Sequence, residues 1–108
     1  MISTHILDIS TGFPASGVQV RLDRDTGGGN WQTLQKDLTN ADGRIAFQCP
    51  FEVGTYRLTF GVEAYLQSKG LIPFFLDVPI VFRVTDTGRK YHVPLLLSPY
   101  GLSTYRGS

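Results

Sequence analysis

The stretch YHVPLLLSPYGLSTYRGS, from Tyr91 to Ser108, predicts a β-hairpin. Apolar side chains recur at every second position from 91 to 97, which is the period of a β-strand. Residues 98–101, Ser-Pro-Tyr-Gly, predict a turn, because proline presets φ and glycine suits the reversal. A second strand is predicted over 102–106. Such an end is ordinarily a frayed terminus, but residues 105–108 carry enough polar groups to make it a candidate site.

The remainder of the chain repeats this strand-and-turn pattern. Further strands are predicted at 4–9, 18–23, 31–38, 44–48, 56–62 and 80–84. Residues 63–69 lack alternation and contain helix formers, so they predict one short helix that Gly70 ends. The fold class is therefore all-β, a β-sandwich of seven to eight strands with one short helix. The predicted core consists of Val18, Val20, Leu22, Leu58, Phe60, Ile80 and Phe82.

Length and composition exclude several classes of protein. A chain of 108 residues predicts a single domain. The formal net charge is +1 without a basic run, which argues against nucleic acid or an acidic membrane as a partner. The longest apolar run, 71–76, is too short to span a bilayer. Because Cys49 is the only cysteine, it can form no internal disulfide. No leader peptide is visible, so we expect a cytoplasmic location, and a periplasmic mature form stays open.

Two histidines and two arginines are the candidates for chemistry. His5 and His92 are the only histidines in the chain. Histidine titrates near neutral pH and can take a proton from water, although a lone histidine on a strand is more often structural. Arg44 and Arg106 offer a planar guanidinium to a flat, oxygen-rich ring or to a developing oxyanion.

Metal and serine chemistry find less support in the sequence. His5, Cys49 and His92 fit no local zinc spacing. The turn at 40–43 lacks the residue order of a calcium loop. Ser108 does not lie on a nucleophile elbow, because no G-x-S-x-G occurs. A water nucleophile without a metal is therefore the favoured interpretation.

Several blocks, in order along the chain, resemble the 5-hydroxyisourate hydrolases, also called transthyretin-related proteins. The opening block is Ser3–Asp8 with Gly12–Val18, and the middle block is Thr39–Arg44. The tract HVPLLLSPYG, His92–Gly101, and the YRGS ending, Tyr105–Ser108, complete the match. The YRGS ending is what separates these hydrolases from the hormone carriers of the same fold.

This resemblance implies a fold, a reaction and an assembly. The fold is a transthyretin-like sandwich, and the reaction is hydrolysis of 5-hydroxyisourate to 2-oxo-4-hydroxy-4-carboxy-5-ureidoimidazoline in urate degradation. No metal or organic cofactor is implied. The expected assembly is a homotetramer, a dimer of dimers with active sites in the channel between the dimers. By position, the catalytic residues are His5, Arg44, His92 and Ser108, and the substrate-binding residues are Tyr105, Arg106 and Gly107.

Within that site we expect His92 to activate water, His5 to assist it, and Arg44 to bind the substrate's oxygens. Two alternatives stay open: a non-catalytic carrier that holds a small ligand in the same cleft, and a β-sandwich scaffold without a ligand. A carrier needs an apolar open channel, whereas the YRGS ending, the histidines and the arginines narrow and charge it. Lys90 and Leu102 depart from the family's usual residues.

Overall fold

The computed structural model describes residues 1–108, which form ten β-strands and one α-helix. The strands are β1 Ile2–Asp8, β2 Phe13–Pro14, β3 Gln19–Gly27, β4 Asn30–Leu38, β5 Arg44–Phe47, β6 Gly54–Phe60, β7 Val78–Val84, β8 Tyr91–His92, β9 Leu95–Ser98 and β10 Gly101–Thr104, and the helix is α1 Val62–Ser68. Because β2 and β8 have two residues each, eight longer strands remain. The predicted all-β sandwich with one short helix is confirmed. The helix is neither long nor apolar enough to cross a membrane.

The strands form two sheets that pack face to face. One is antiparallel with the order β4-β3-β6-β7. The other has six strands: β10-β9-β1-β2 form its main path, and β5 and β8 also pair with β1. Strand β1 is therefore bordered near its beginning by antiparallel β5 on one side and parallel β8 on the other. This central place makes β1 the strand that gathers residues from distant parts of the chain.

The core follows from the two-residue period of the strands. Along β1 the side chains at 2, 4, 6 and 8 are buried, whereas those at 3, 5 and 7 are half-buried on the opposite, outer face. Val20, Leu22, Leu58 and Phe60 are fully buried between the sheets, as the sequence predicts. Ile80 and Phe82 were also predicted to be core, but they are only half-buried because β7 is an edge strand of its sheet.

The closing hairpin differs from the prediction in two places. The strand predicted over residues 91–98 is interrupted at Val93–Pro94, where proline has no N–H for the ladder. Thr4 Oγ1 instead donates a hydrogen bond to the Val93 carbonyl at 2.7 Å. The last strand, predicted to reach Arg106, ends at Thr104. The chain then turns toward β8, where the Gly107 N–H donates to the His92 carbonyl at 2.7 Å.

Candidate active site

Three predicted residues meet on the outer face of β1. His5 lies on this face, and its Cα partner across the antiparallel pair is Arg44 of β5. His92 of β8 is the Cα partner of Ser3 across the parallel pair of β1 and β8, two residues before His5. Residues two apart on a strand point to the same side of the sheet. The strand pairing therefore brings together His5 from the beginning of the chain, Arg44 from its middle and His92 from near its end.

A tight turn sets the position of Arg44. The Asn40 side-chain oxygen accepts hydrogen bonds from the backbone N–H groups of Asp42 and Arg44, at 2.9 and 3.0 Å. Gly43 has φ +74, and a Cβ there would lie 2.6 Å from the Ile6 carbonyl oxygen, so only glycine fits. The Ile6 N–H donates to the Gly43 carbonyl at 2.8 Å, which joins this turn to β1. Arg44 consequently begins β5 directly opposite His5.

The His92 imidazole is held by its surroundings. Ser3 Oγ lies 2.9 Å from its Nδ1, and Nε2 has no hydrogen-bond partner in the protein. Burial lowers the pKa of His92 below its ordinary value, and the positive fields of His5 and Arg44 lower it further. The ring is therefore neutral near pH 7, the form in which a histidine nitrogen accepts a proton.

Arg44 and His92 line one cleft of about 370 Å³, whereas His5 is not part of its lining. Four of the seven predicted site residues form its wall, namely Arg44, His92, Gly107 and Ser108. Ser3 and Lys90 also line it, although the sequence analysis gave neither a role. No Asp or Glu side chain contributes to the lining, and Arg44 forms no ion pair. The side-chain cations of this cleft, Arg44 and Lys90, are therefore free to contact an oxygen-rich ligand.

Tyr105 and Arg106 lie apart from this cleft. They line a second cavity of about 150 Å³, together with Ile80 and Phe82 of β7. This cavity opens between the edge strands β7 and β10 and is mostly apolar. The expectation that all of Tyr105–Ser108 surrounds one cleft is not met within a single subunit, because the chain leaves β10 after Thr104 and crosses to β8.

The potential metal ligands named from the sequence do not gather. No three His, Cys, Asp or Glu side chains lie close enough together to hold an ion. Cys49 is half-buried and free.

The model of the family described as HIUase/Transthyretin matches residues 2–107. This chain belongs to the HIUase/Transthyretin family. The family predicted from the sequence is thereby confirmed. Because the match covers nearly the whole chain, it includes every predicted site residue except Ser108.

Individual relatives agree with this family. The 5-hydroxyisourate hydrolase of Salmonella typhimurium is 46% identical over 111 aligned residues, which cover 100% of this chain and 81% of the relative. The solved structure of Klebsiella pneumoniae 5-hydroxyisourate hydrolase superposes with a TM-score of 0.86 at 44% identity, covering 99% of this chain and 98% of that one. Sea bream transthyretin in complex with thyroxine gives a TM-score of 0.92 at 31% identity, covering 98% and 93%. The fold therefore suits both a hydrolase and a carrier.

Proposed function

We propose that this protein hydrolyses 5-hydroxyisourate to 2-oxo-4-hydroxy-4-carboxy-5-ureidoimidazoline, a step of urate degradation. The observation that carries the proposal is the cleft in which a neutral histidine with a free Nε2 lies beside an unpaired arginine. Relatives at 46% and 44% identity bear the name 5-hydroxyisourate hydrolase. A carrier cleft would be apolar, whereas this one holds Arg44, Lys90 and His92.

The geometry suggests a mechanism in which water is the nucleophile. His92 Nε2 takes a proton from water while the water oxygen bonds to the carbonyl carbon of the cyclic amide. Arg44 donates hydrogen bonds to the oxygen that becomes negative. When the ring C–N bond breaks, the imidazolium returns the proton to the leaving nitrogen. His5, paired with Arg44 across the strands, assists by orienting the guanidinium and the substrate.

The test is to generate 5-hydroxyisourate with urate oxidase and to follow its decay with and without this protein. We expect faster decay, without added metal and with chelator present. Decay at the spontaneous rate would remove the hydrolase proposal. If the ligand bound without faster decay, the carrier alternative would replace it.

We further propose that residues 1–108 act as one domain and assemble as a homotetramer, a dimer of dimers. The edge strands β7 and β10 leave unpaired backbone groups on the same side of the sandwich. Large apolar side chains beside these edges are exposed, including Phe74 at 67% and Tyr100 at 79%. A second copy that covered this side would satisfy both edges. Tyr105 and Arg106 would then act as substrate-binding residues at the interface between subunits.

Sedimentation would measure this assembly. Phe74→Glu places a charge on the exposed apolar surface and should reduce the particle mass. Leu38→Glu is the matched control, because Leu38 is similarly exposed at 59% but lies on β4, the opposite edge of its sheet. A wild-type protein that sediments as a monomer would contradict the proposal.

We also propose a cytoplasmic location, with which the free thiol of Cys49 agrees. Fractionation of the source cells tests it, and recovery from an oxidising compartment would contradict it.

A further inference from the structure

Ser3 is the protein side chain that contacts the His92 ring through a hydrogen bond. Its Oγ lies 2.9 Å from Nδ1. The position of Ser3 is set on both sides, since it is the Cα partner of Ala46 in β5 and of His92 in β8. The Val93 N–H also donates to the Ser3 carbonyl at 2.9 Å. The hydroxyl is therefore carried by a residue whose backbone is paired with a strand on each side.

Gly107 closes the other side of the ring. A Cβ at this position would lie 2.6 Å from His92 Cδ2 and 3.2 Å from Cγ, so the backbone of Gly107 is already in contact with the imidazole. The Gly107 N–H bonds to the His92 carbonyl, which holds that contact in place. With Nδ1 facing Ser3 and Gly107 against Cδ2, Nε2 is the nitrogen left for water.

The charged groups near the His92 ring decide which group can form a hydrogen bond with Nδ1. His5 of β1, Arg44 of β5 and Lys90 just before β8 are the titratable and charged side chains that face His92 or share its cleft. None of them is a carboxylate. Met1 and Ser108 also line the cleft, but neither the amino group of Met1 nor the main-chain carboxylate of Ser108 forms a hydrogen bond or ion pair with the ring. The Ser3 hydroxyl is the hydrogen-bonding group that the protein supplies at this nitrogen. An acceptor at Nδ1 keeps the lone pair of a neutral imidazole on Nε2.

We propose that Ser3 is a positioning residue for the hydrolysis: its hydroxyl oxygen accepts the hydrogen bond from His92 Nδ1–H and thereby directs the basic Nε2 into the cleft. This inference rests on the proposed function and adds a residue to it. It also states which tautomer of His92 reacts. Ser3 itself does not touch the reacting atoms.

The experiment compares Ser3→Thr with Ser3→Val. These side chains have nearly the same shape and both suit a strand, so both variants are expected to fold, but only threonine keeps the hydroxyl. We expect kcat to stay within about threefold of wild type for Ser3→Thr and to fall roughly tenfold for Ser3→Val, with KM unchanged in both. Ser16→Ala, at an exposed position outside the cleft, is the control and should match wild type.

Nitrogen-15 NMR of the imidazole provides a readout that a merely structural role would not move. Wild type and Ser3→Thr should have the proton on Nδ1 of neutral His92, whereas Ser3→Val should distribute it between both nitrogens. Equal kcat in the Thr and Val variants, or an Nε2–H tautomer in wild type, would overturn the inference. If wild type failed to hydrolyse 5-hydroxyisourate, the proposed function would fall, while the NMR comparison would still decide the tautomer.

Discussion

The two outer faces of the sandwich differ in whether their charged side chains have hydrogen-bond and ion-pair partners. On the four-stranded sheet, Asp23 is buried to 1% exposure although it lies outside the core. Its carboxylate accepts hydrogen bonds from Arg57, Arg21 and Thr33. The Arg57 guanidinium also stacks 4.3 Å from the Trp31 ring centroid. On the six-stranded sheet, the guanidinium of Arg44 and Nε2 of His92 have no hydrogen-bond or ion-pair partner in the protein.

This difference separates structural from chemical use of similar residues. Burying a charge costs free energy unless it is paired and hydrogen-bonded, and Asp23 meets that condition completely. The charged face around His92 leaves donors and a base unsatisfied within the subunit. Such groups are available to a ligand, which is why we place the chemistry there.

The largest effect is expected from His92→Asn. Asparagine keeps a polar side chain but cannot accept a proton near neutral pH, so turnover should fall at least ~10²-fold and up to ~10⁴-fold. The melting temperature should change little, because His92 is only half-buried. Steady-state kinetics on the folded variant measure this. Turnover near wild type would show that His92 is structural. The two outer faces would then not differ in the use of their charged residues.

Asp23→Ala should have the opposite pattern of effects: it should lower stability and leave activity unchanged. Removing the carboxylate leaves Arg57 and Arg21 without their partner, which should lower the free energy of unfolding by about 3 kcal/mol. Activity per folded molecule should be unchanged, because Asp23 does not line the cleft. Urea denaturation and kinetics at low temperature separate the two quantities. Asp77→Ala, at an exposed carboxylate without an ion pair, is the control and should change stability by less than ~0.5 kcal/mol.

Gly107→Ala tests the contact that holds the His92 ring. The new methyl group would have to lie 2.6 Å from Cδ2, so either the ring or the chain end must move. We expect kcat to fall between ~10- and ~100-fold, because misplacement by about 1 Å has that scale of effect. Gly101→Ala is the matched control, since its Cβ would meet only Ser98 Oγ at 3.5 Å. Unchanged turnover in Gly107→Ala would mean that the contact is incidental.

The smallest expected effect is a difference between the pH at which activity is lost and the pH at which the fold is lost. The pKa of His92 is lowered by burial and by the fields of His5 and Arg44, so its base form persists below pH 6.5 and activity should fall only as pH drops through that lowered value. Burial opposes ionisation of Asp23, but hydrogen bonds from Arg57, Thr33 and Arg21 hold its pKa below 3.8.

A carboxylate with a depressed folded pKa stabilises the fold above its unfolded pKa of about 3.9, and that contribution is lost as pH falls through the folded value. Activity should therefore disappear at a higher pH than the fold does. Parallel titrations of kcat and of circular dichroism measure the gap. Coincident transitions would show that acid acts through unfolding alone.

The sequence predicted more of the site's members than of its arrangement. His5, Arg44 and His92 were found from residue chemistry and from the family blocks. The sequence indicates Ser3 only as a member of the opening block, although its position two residues before His5 is a signal that places it on the same face. Tyr105 and Arg106 are expected in the same cleft as Ser108, but within one subunit they line a separate cavity. No local pattern reveals that β10 ends at Thr104, because that end depends on the bond between Gly107 and a residue of another strand.

The sequence by itself determined the fold class, the alternation that buries Val20 and Leu22, and the turn at 40–43. These features depend on neighbours a few residues apart, where backbone preferences and side-chain period act directly. Only the tertiary structure decided that β1 lies between β5 and β8, which brings Ser3 to His92 and His5 to Arg44. Register between distant strands is set by the packing of both sheets together, so it becomes definite only when the whole sandwich has formed.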